Sequence, residues 1–122
     1  TKIYVKEVLK LIDKNLINGC ANVTGGGLAD NIKRVIPENL VAEINLNKIN
    51  TSKIFKWLRM NGITDKEMLK TFNCGVGFCI IINPKNLNKV KKYFKKEFKP
   101  YVIGKISVGK NKVKLNGSIN WN

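Results

Sequence analysis

Apolar residues at Val5, Val8, Leu9, Ile12 and Leu16 recur at helical spacing and predict a helix over residues 3–16, ended by Asn18-Gly19. Cys20 to Thr24 reads as a short buried strand. Three glycines, Gly25, Gly26 and Gly27, then lead into a helix carrying Leu28, Ile32 and Val35. Pro37 stops that helix, because the residue before a proline is pushed toward extended geometry. Leu40 to Leu46 alternates as a strand with Glu43 and Asn45 turned outward. Ser52 caps the next helix, whose buried face carries Ile54, Phe55 and Leu58, with Trp57 a further candidate, and Gly62 closes it. Thr64-Asp65-Lys66-Glu67 matches a capping box and opens a short helix to Phe72.

Gly75 to Ile82 is almost wholly apolar, as expected of a central strand covered on both faces. Asn83-Pro84 starts the last helix. Leu87, Val90, Phe94 and Phe98 line its core side, and Lys85, Lys89, Lys92 and Lys96 its solvent side. Tyr101 to Val108 and Lys112 to Leu115 read as a hairpin around Gly109-Lys110-Asn111. The order αβαβααβαββ predicts one α+β domain over residues 1–122, with packed helices on a mixed, largely antiparallel sheet.

Composition narrows the function classes. No run approaches the roughly 20 apolar residues that cross a bilayer, and the first residues do not form a signal peptide. The absence of an initiator Met leads us to expect a chain that begins inside a longer protein. Cys20, Cys74 and Cys79 are odd in number and form no C-x-x-C pair, which points to buried thiols in a reducing cytoplasm. The net charge of +15 suggests nucleic acid at first. However, only Arg34 and Arg59 among the 23 cations carry the bidentate fork, and the charge is spread through the chain. A solvated, compositionally biased surface accounts for it, and nucleic acid is not expected as a partner.

Catalytic groups are scarce. Without His there is no ready general base near neutral pH, and the 8 carboxylates show no acid/base couple, so no catalytic residue and no metal site is assigned. Cys74 has no evident base beside it. Asp30, the carboxylate close to the glycines, reads as a first-turn charge complementing the helix dipole. Gly75-x-Gly77 opens a strand instead of a helix, so it is no dinucleotide loop; close backbone packing or a bulge explains it. Glycine lets a backbone adopt φ > 0 or approach a ligand closely. Gly25-Gly26-Gly27 can therefore be a tight turn or an anion cradle at a helix start, and the glycines alone leave both open.

The motifs do more. Asn22-Val23-Thr24-Gly25-Gly26-Gly27-Leu28 with Asn31-Ile32-Lys33-Arg34-Val35-Ile36-Pro37 closely resembles the H-[IV]-T-G-G-G-L-x-x-N-[IL]-x-R-V-[LI]-P signature of the phosphoribosylformylglycinamidine cyclo-ligase, or AIR synthase, family. Thr1 to Val5 is similar to its T-R-I-Y-V segment, and Ile54 to Leu58 to its I-F-x-W-L helix. Lys70 to Phe78 is similar to R-T-F-N-x-G-[IV]-G-[ML], and Tyr101 to Gly104 to W-x-I-G. The resemblance runs the whole length of the chain and is to the C-terminal domain.

It implies ATP- and Mg2+-dependent closure of formylglycinamidine ribonucleotide to aminoimidazole ribonucleotide in de novo purine biosynthesis. The family's enzymes are cytoplasmic homodimers of two-domain subunits, with reactants between the domains and the main ATP-binding loop in an N-terminal domain. That domain has no counterpart here, so the chain alone is expected to be inactive and ATP and Mg2+ to be held largely elsewhere. Thr24, Gly25, Gly26 and Gly27 are implied as a phosphate-contacting loop, Asn73 and Gly75 as a second segment facing the substrate, and Asn22, Asp30 and Lys70 as secondary candidates. Two departures matter. The family's His is Asn22, which cannot shuttle a proton near pH 7, and its Arg is Lys70, which loses bidentate geometry. The alternatives are an RNA- or polyanion-binding module using Lys85 to Lys99, and a sibling ATP-dependent enzyme of the same fold.

Overall fold

A computed structural model describes residues 5–122. The segment Thr1 to Tyr4, including most of the expected family-like start and the first residues of the expected helix, lies outside the described residues. The rest forms an α+β arrangement of two compact units, residues 5–20 with Ile80–Val102 and Ala21–Cys79 with Ile103–Asn122. Strands β1 (Gly19–Asn22) and β3 (Phe78–Ile81) pair in a two-stranded sheet, and each has residues in both units. β3 is therefore not the doubly covered central strand its apolar run predicts, and all four of its residues are only half-buried.

In the first unit, helix α1 (Val5–Asp13) packs Leu11, with Leu16, against Val90. The helix offers two apolar stripes, and packing selects Val8 and Leu11. Val5, Leu9 and Ile12 of the expected face are exposed instead. The long lysine helix is also corrected. It is a 3-10 turn at Pro84–Asn86, a short α5 (Leu87–Lys91) and a second 3-10 turn at Lys96–Phe98. Lys95 between them is extended, with φ −68° and ψ 161°. A continuous helix would align Lys91 with Lys95 and Lys92 with Lys96, like charges one turn apart that disfavour it. Val90 is fully buried, whereas Leu87, Phe94 and Phe98 are half-buried.

The second unit is built on strand β2 (Leu40–Asn45), which lies between β4 (Gly104–Val108) and β5 (Lys112–Asn116). β2 buries Ala42 and Ile44 on one face and Val41 on the other, where Glu43 accepts a hydrogen bond from Ser107 Oγ at 2.9 Å. β4 is antiparallel to β2 and β5 is parallel to it, so the sheet is mixed. The expected β4–β5 hairpin does not form. Leu40 is opposite Val108 and Val41 opposite Lys112, so Gly109-Lys110-Asn111 passes across the start of β2 from one side to the other. Neighbouring strands are about 4.8 Å apart, so this step spans roughly 10 Å, within reach of three linking residues. Gly109 permits it: a Cβ there would lie 2.8 Å from Val41 Cγ1, and its N–H donates to Asn39 O at 3.1 Å.

Helices α2 (Gly27–Lys33), α3 (Lys53–Met60) and α4 (Asp65–Thr71) complete this unit. Leu28 and Ile32 of α2 are buried; Val35, beyond its end, is exposed. No residue of α3 is fully buried, and Ile54 and Trp57 of its expected core face are 57% and 58% exposed. Phe55 reaches the ring of Phe72 at a centroid distance of 6.1 Å. Ser52 precedes α3 without a side-chain cap bond. At α4 the expected cap is half made: Thr64 Oγ1 accepts from Glu67 N at 3.3 Å, while Glu67 Oε1 accepts from Thr71 Oγ1 at 2.9 Å. Among the described residues no helix is long and apolar enough to cross a membrane.

Candidate functional site

The glycine loop and the Lys70–Gly77 segment, expected from sequence to contribute to one site, lie side by side in the second unit. Val23 N, at the head of the loop, donates to Gly77 O at 2.9 Å. At its foot, Gly27 packs against the backbone of Leu69 and Lys70 at the end of α4.

The three glycines of the loop differ in what folding asks of them. Thr24 to Gly27 is a turn closed by Gly27 N donating to Thr24 O at 3.2 Å. Gly26 has φ 97° and ψ −8°, the left-handed geometry a type II turn requires at its third residue. Gly27 has φ +76°, and a Cβ there would collide with the Leu69 carbonyl. These two are demanded by folding. Gly25 is different: it is exposed, its φ lies outside the left-handed region, and a Cβ would meet nothing within 4 Å.

The secondary candidates divide in the same way. Asp30 is exposed in the first turn of α2, and its carboxylate would lie 3.3 Å from a Cβ on Gly26. That charge suits the helix start and opposes an anion only on the side of Gly26 where a Cβ would stand, which leaves the Gly25 side of the loop as the open approach. With only 7 residues, α2 has a correspondingly small dipole to offer. Asn22 and Thr24 are exposed on either side of buried Val23, and Lys70 is exposed.

The Asn73–Gly75 segment is explained by its own turn. Asn73 Oδ1 accepts from Gly75 N at 2.8 Å, and Asn73 O accepts from Val76 N at 3.0 Å. Cys74 and Gly75 are both left-handed, at φ 55° and φ 104°. A Cβ on Gly75 would lie 2.8 Å from Asn50 O, the close backbone packing expected of this glycine pair.

Cys74 is not a nucleophile in this setting. It is buried, its Sγ contacts Met68 O at 3.5 Å, and burial, aided by the charge of Asp65, pushes its pKa up to about 11. Burial likewise raises Cys79 to about 12. All three cysteines are free, with Cys20 and Cys79 half-buried instead of buried as expected. Among the described residues no group of three or more His, Cys, Asp or Glu gathers as a metal site.

One residue central to the site was not among those expected from sequence. Asn31, 5% exposed, is the buried polar side chain of the described core. Its Nδ2 donates to Gly27 O at 2.6 Å, Thr24 O at 3.2 Å and Gly25 O at 3.4 Å, while Oδ1 accepts from Arg34 Nη1 at 3.5 Å. Its place as the Asn of the quoted signature, and its position beside Leu28 and Ile32 on the buried face of a helix, were the available signals.

Comparison with known proteins gives a consistent match. The AIR synthase related protein, C-terminal domain, matches residues 1–116. The chain is 46% identical over 107 residues to the "Trifunctional purine biosynthetic protein adenosine-3" of Chironomus tentans, covering 87% of this chain and 8% of that one. It is 44% identical over 108 residues to the "Bifunctional purine biosynthetic protein PUR2,5" of Pichia angusta, covering 87% and 14%. It is 37% identical over 123 aligned positions to the "Phosphoribosylformylglycinamidine cyclo-ligase" of Lactobacillus helveticus, covering 97% and 35%. The chain thus spans between 8% and 35% of the length of these relatives.

Proposed function

This chain belongs to the AIR synthase related protein C-terminal domain family, and on that premise we propose that it supplies the C-terminal part of an ATP-dependent cyclo-ligase. The reaction is closure of formylglycinamidine ribonucleotide to aminoimidazole ribonucleotide in purine biosynthesis. The relatives named for that activity, or for purine biosynthesis more broadly, support this reading. The partner is the remainder of the enzyme, with its own nucleotide-binding domain. A cytoplasmic homodimer, and inactivity of this domain by itself, are parts of the same proposal.

Within the domain, the observation that carries the site is Gly25. Folding accounts for the bare backbone at Gly26 and Gly27 but not at Gly25, where the exposed peptide stands open to solvent. A phosphate oxygen can approach backbone amides there without a side chain in the way. When bound, ATP supplies the phosphoryl group that makes the formyl amide oxygen displaceable. Thr24, Gly25 and Gly26 would hold a phosphate of ATP or of the ribonucleotide, their amides set in advance toward its charge. Gly27 keeps the turn in place against Leu69. Magnesium would be held largely by the remainder of the enzyme. Asn22 positions by hydrogen bonding and does not carry a proton near neutral pH.

The test is kinetic. In the complete polypeptide that carries this domain, ATP-dependent formation of aminoimidazole ribonucleotide is expected. Gly25→Val is expected to lower kcat/KM at least tenfold with an unchanged melting temperature. Absence of the ring-closure activity in the complete polypeptide overturns the function. Full activity of Gly25→Val removes the loop from the site.

A further inference from the structure

The structure assigns to Asn31 the task of aiming two loop amides, those of Gly25 and Gly26, out of the fold toward a phosphate group; this rests on the phosphate reading of the loop proposed above. In a trans peptide the C=O and N–H point in opposite directions within one plane. The Thr24 carbonyl shares its plane with the Gly25 N–H, and the Gly25 carbonyl shares its plane with the Gly26 N–H. Asn31 Nδ2 donates to both carbonyls, at 3.2 Å and 3.4 Å. Both N–H groups therefore face away from Asn31.

Asn31 is buried and Thr24 and Gly25 are exposed, so the direction away from Asn31 is outward. Successive amides on one side of a turn containing a left-handed residue form a concavity suited to anions, and Gly26 is that residue. The third contact, to Gly27 O at 2.6 Å, anchors the amide to its own helix one turn back. Three acceptors around Nδ2 and one donor at Oδ1 fix which way the side chain is turned. Asp has the same shape but would set a carboxylate oxygen against three carbonyls. Asn31 is thus a positioning residue: it touches no reactant and determines where the loop donors point.

The experiment is a 15N NMR titration of this chain with two probes, ATP and ribose 5-phosphate, on the unaltered protein and on Asn31→Asp. In the unaltered chain, the Gly25 and Gly26 amide signals are expected to move with at least one probe, and the probe that moves them names the source of the phosphate. The Asn31 side-chain NH2 protons are expected to exchange at least tenfold more slowly than those of exposed Asn22. In Asn31→Asp, with the fold checked by circular dichroism, the shifts are expected to vanish or the Kd to rise at least tenfold. Equal Kd in Asn31→Asp overturns the assignment to Asn31 and leaves the loop reading standing. No shift with either probe in the unaltered chain, with Asn31 protected, overturns the loop reading and the ligand role of Asn31 with it. Should Asn31→Asp not fold, fast exchange of the Asn31 NH2 protons in the unaltered chain still overturns the assignment.

Discussion

Gly27 and Leu69 meet backbone to backbone: the Leu69 carbonyl occupies the space where a Cβ on Gly27 would stand, and Gly27 is held at φ +76°. An added methyl group is opposed twice, by the left-handed backbone and by a carbonyl at the end of α4 that cannot swing away as a side chain would. Gly27→Ala is expected to destabilise the chain by on the order of 3 kcal/mol. Gly25→Ala, in open space at ordinary φ, is expected to change stability by no more than about 0.5 kcal/mol. Urea unfolding of the two variants checks the contrast. Equal losses would mean that the two glycines are not distinct in role.

Trp57 gives a second contrast between pattern and packing. Its spacing with Ile54 suggests a buried helix face, yet it is 58% exposed. A buried Trp costs about 3–5 kcal/mol when truncated to Ala. Trp57→Ala in this chain is expected to cost less than about 1 kcal/mol. A loss in the larger range, measured by thermal or urea unfolding, would show that α3 buries this face after all.

Several end signals survived the passage from sequence to structure, the Ser52 cap excepted, and the long-range arrangement did not follow from pattern. Thr64, Asn83 and Gly62 act at element ends through neighbouring backbone, so the positions of α4, of the 3-10 turn at Pro84 and of the end of α3 were legible. The path of Gly109 to Asn111 across β2 was not, because no local pattern tells a turn between paired strands from one with a third strand lying between them. The stripe chosen on α1 depended on where Val90 lies, far along the chain. At the candidate site the glycines were visible as residues, but their separate roles were set by Leu69 and Asn31, which are distant or buried. Periodicity likewise suggested one lysine helix after Asn83, since it takes no account of like charges that stack one turn apart.

Arg59 and Asp65 form an ion pair that joins the end of α3 to the start of α4, with side chains 40% and 44% exposed. Pairs this exposed are weakened by solvent and salt, so Arg59→Ala is expected to cost no more than about 1 kcal/mol. Most of that loss should disappear when urea unfolding is repeated in about 1 M NaCl. A loss above about 2 kcal/mol that persists in salt would mark the corner as a true anchor between the helices.

The two raised thiols set the alkaline limit of stability. An exposed cysteine titrates near 9.0, whereas burial holds Cys74 at about 11 and Cys79 at about 12 in the folded chain. Between those values the unfolded chain releases thiol protons that the folded chain retains, so the folded state binds more protons. Stability is then fully present below pH 9 and falls as pH rises toward 12. Urea midpoints measured at pH 8, 9, 10 and 11 should stay level over the first step and decline over the later ones. Replacing both thiols, Cys74→Ala with Cys79→Ala, should lower the whole curve through lost packing while flattening its alkaline slope. Thiol labelling at pH 8 should follow the same chemistry, with Cys74 and Cys79 modified at least a hundredfold more slowly in the native chain than in urea. A curve equally steep in the double variant would assign the alkaline loss to other groups.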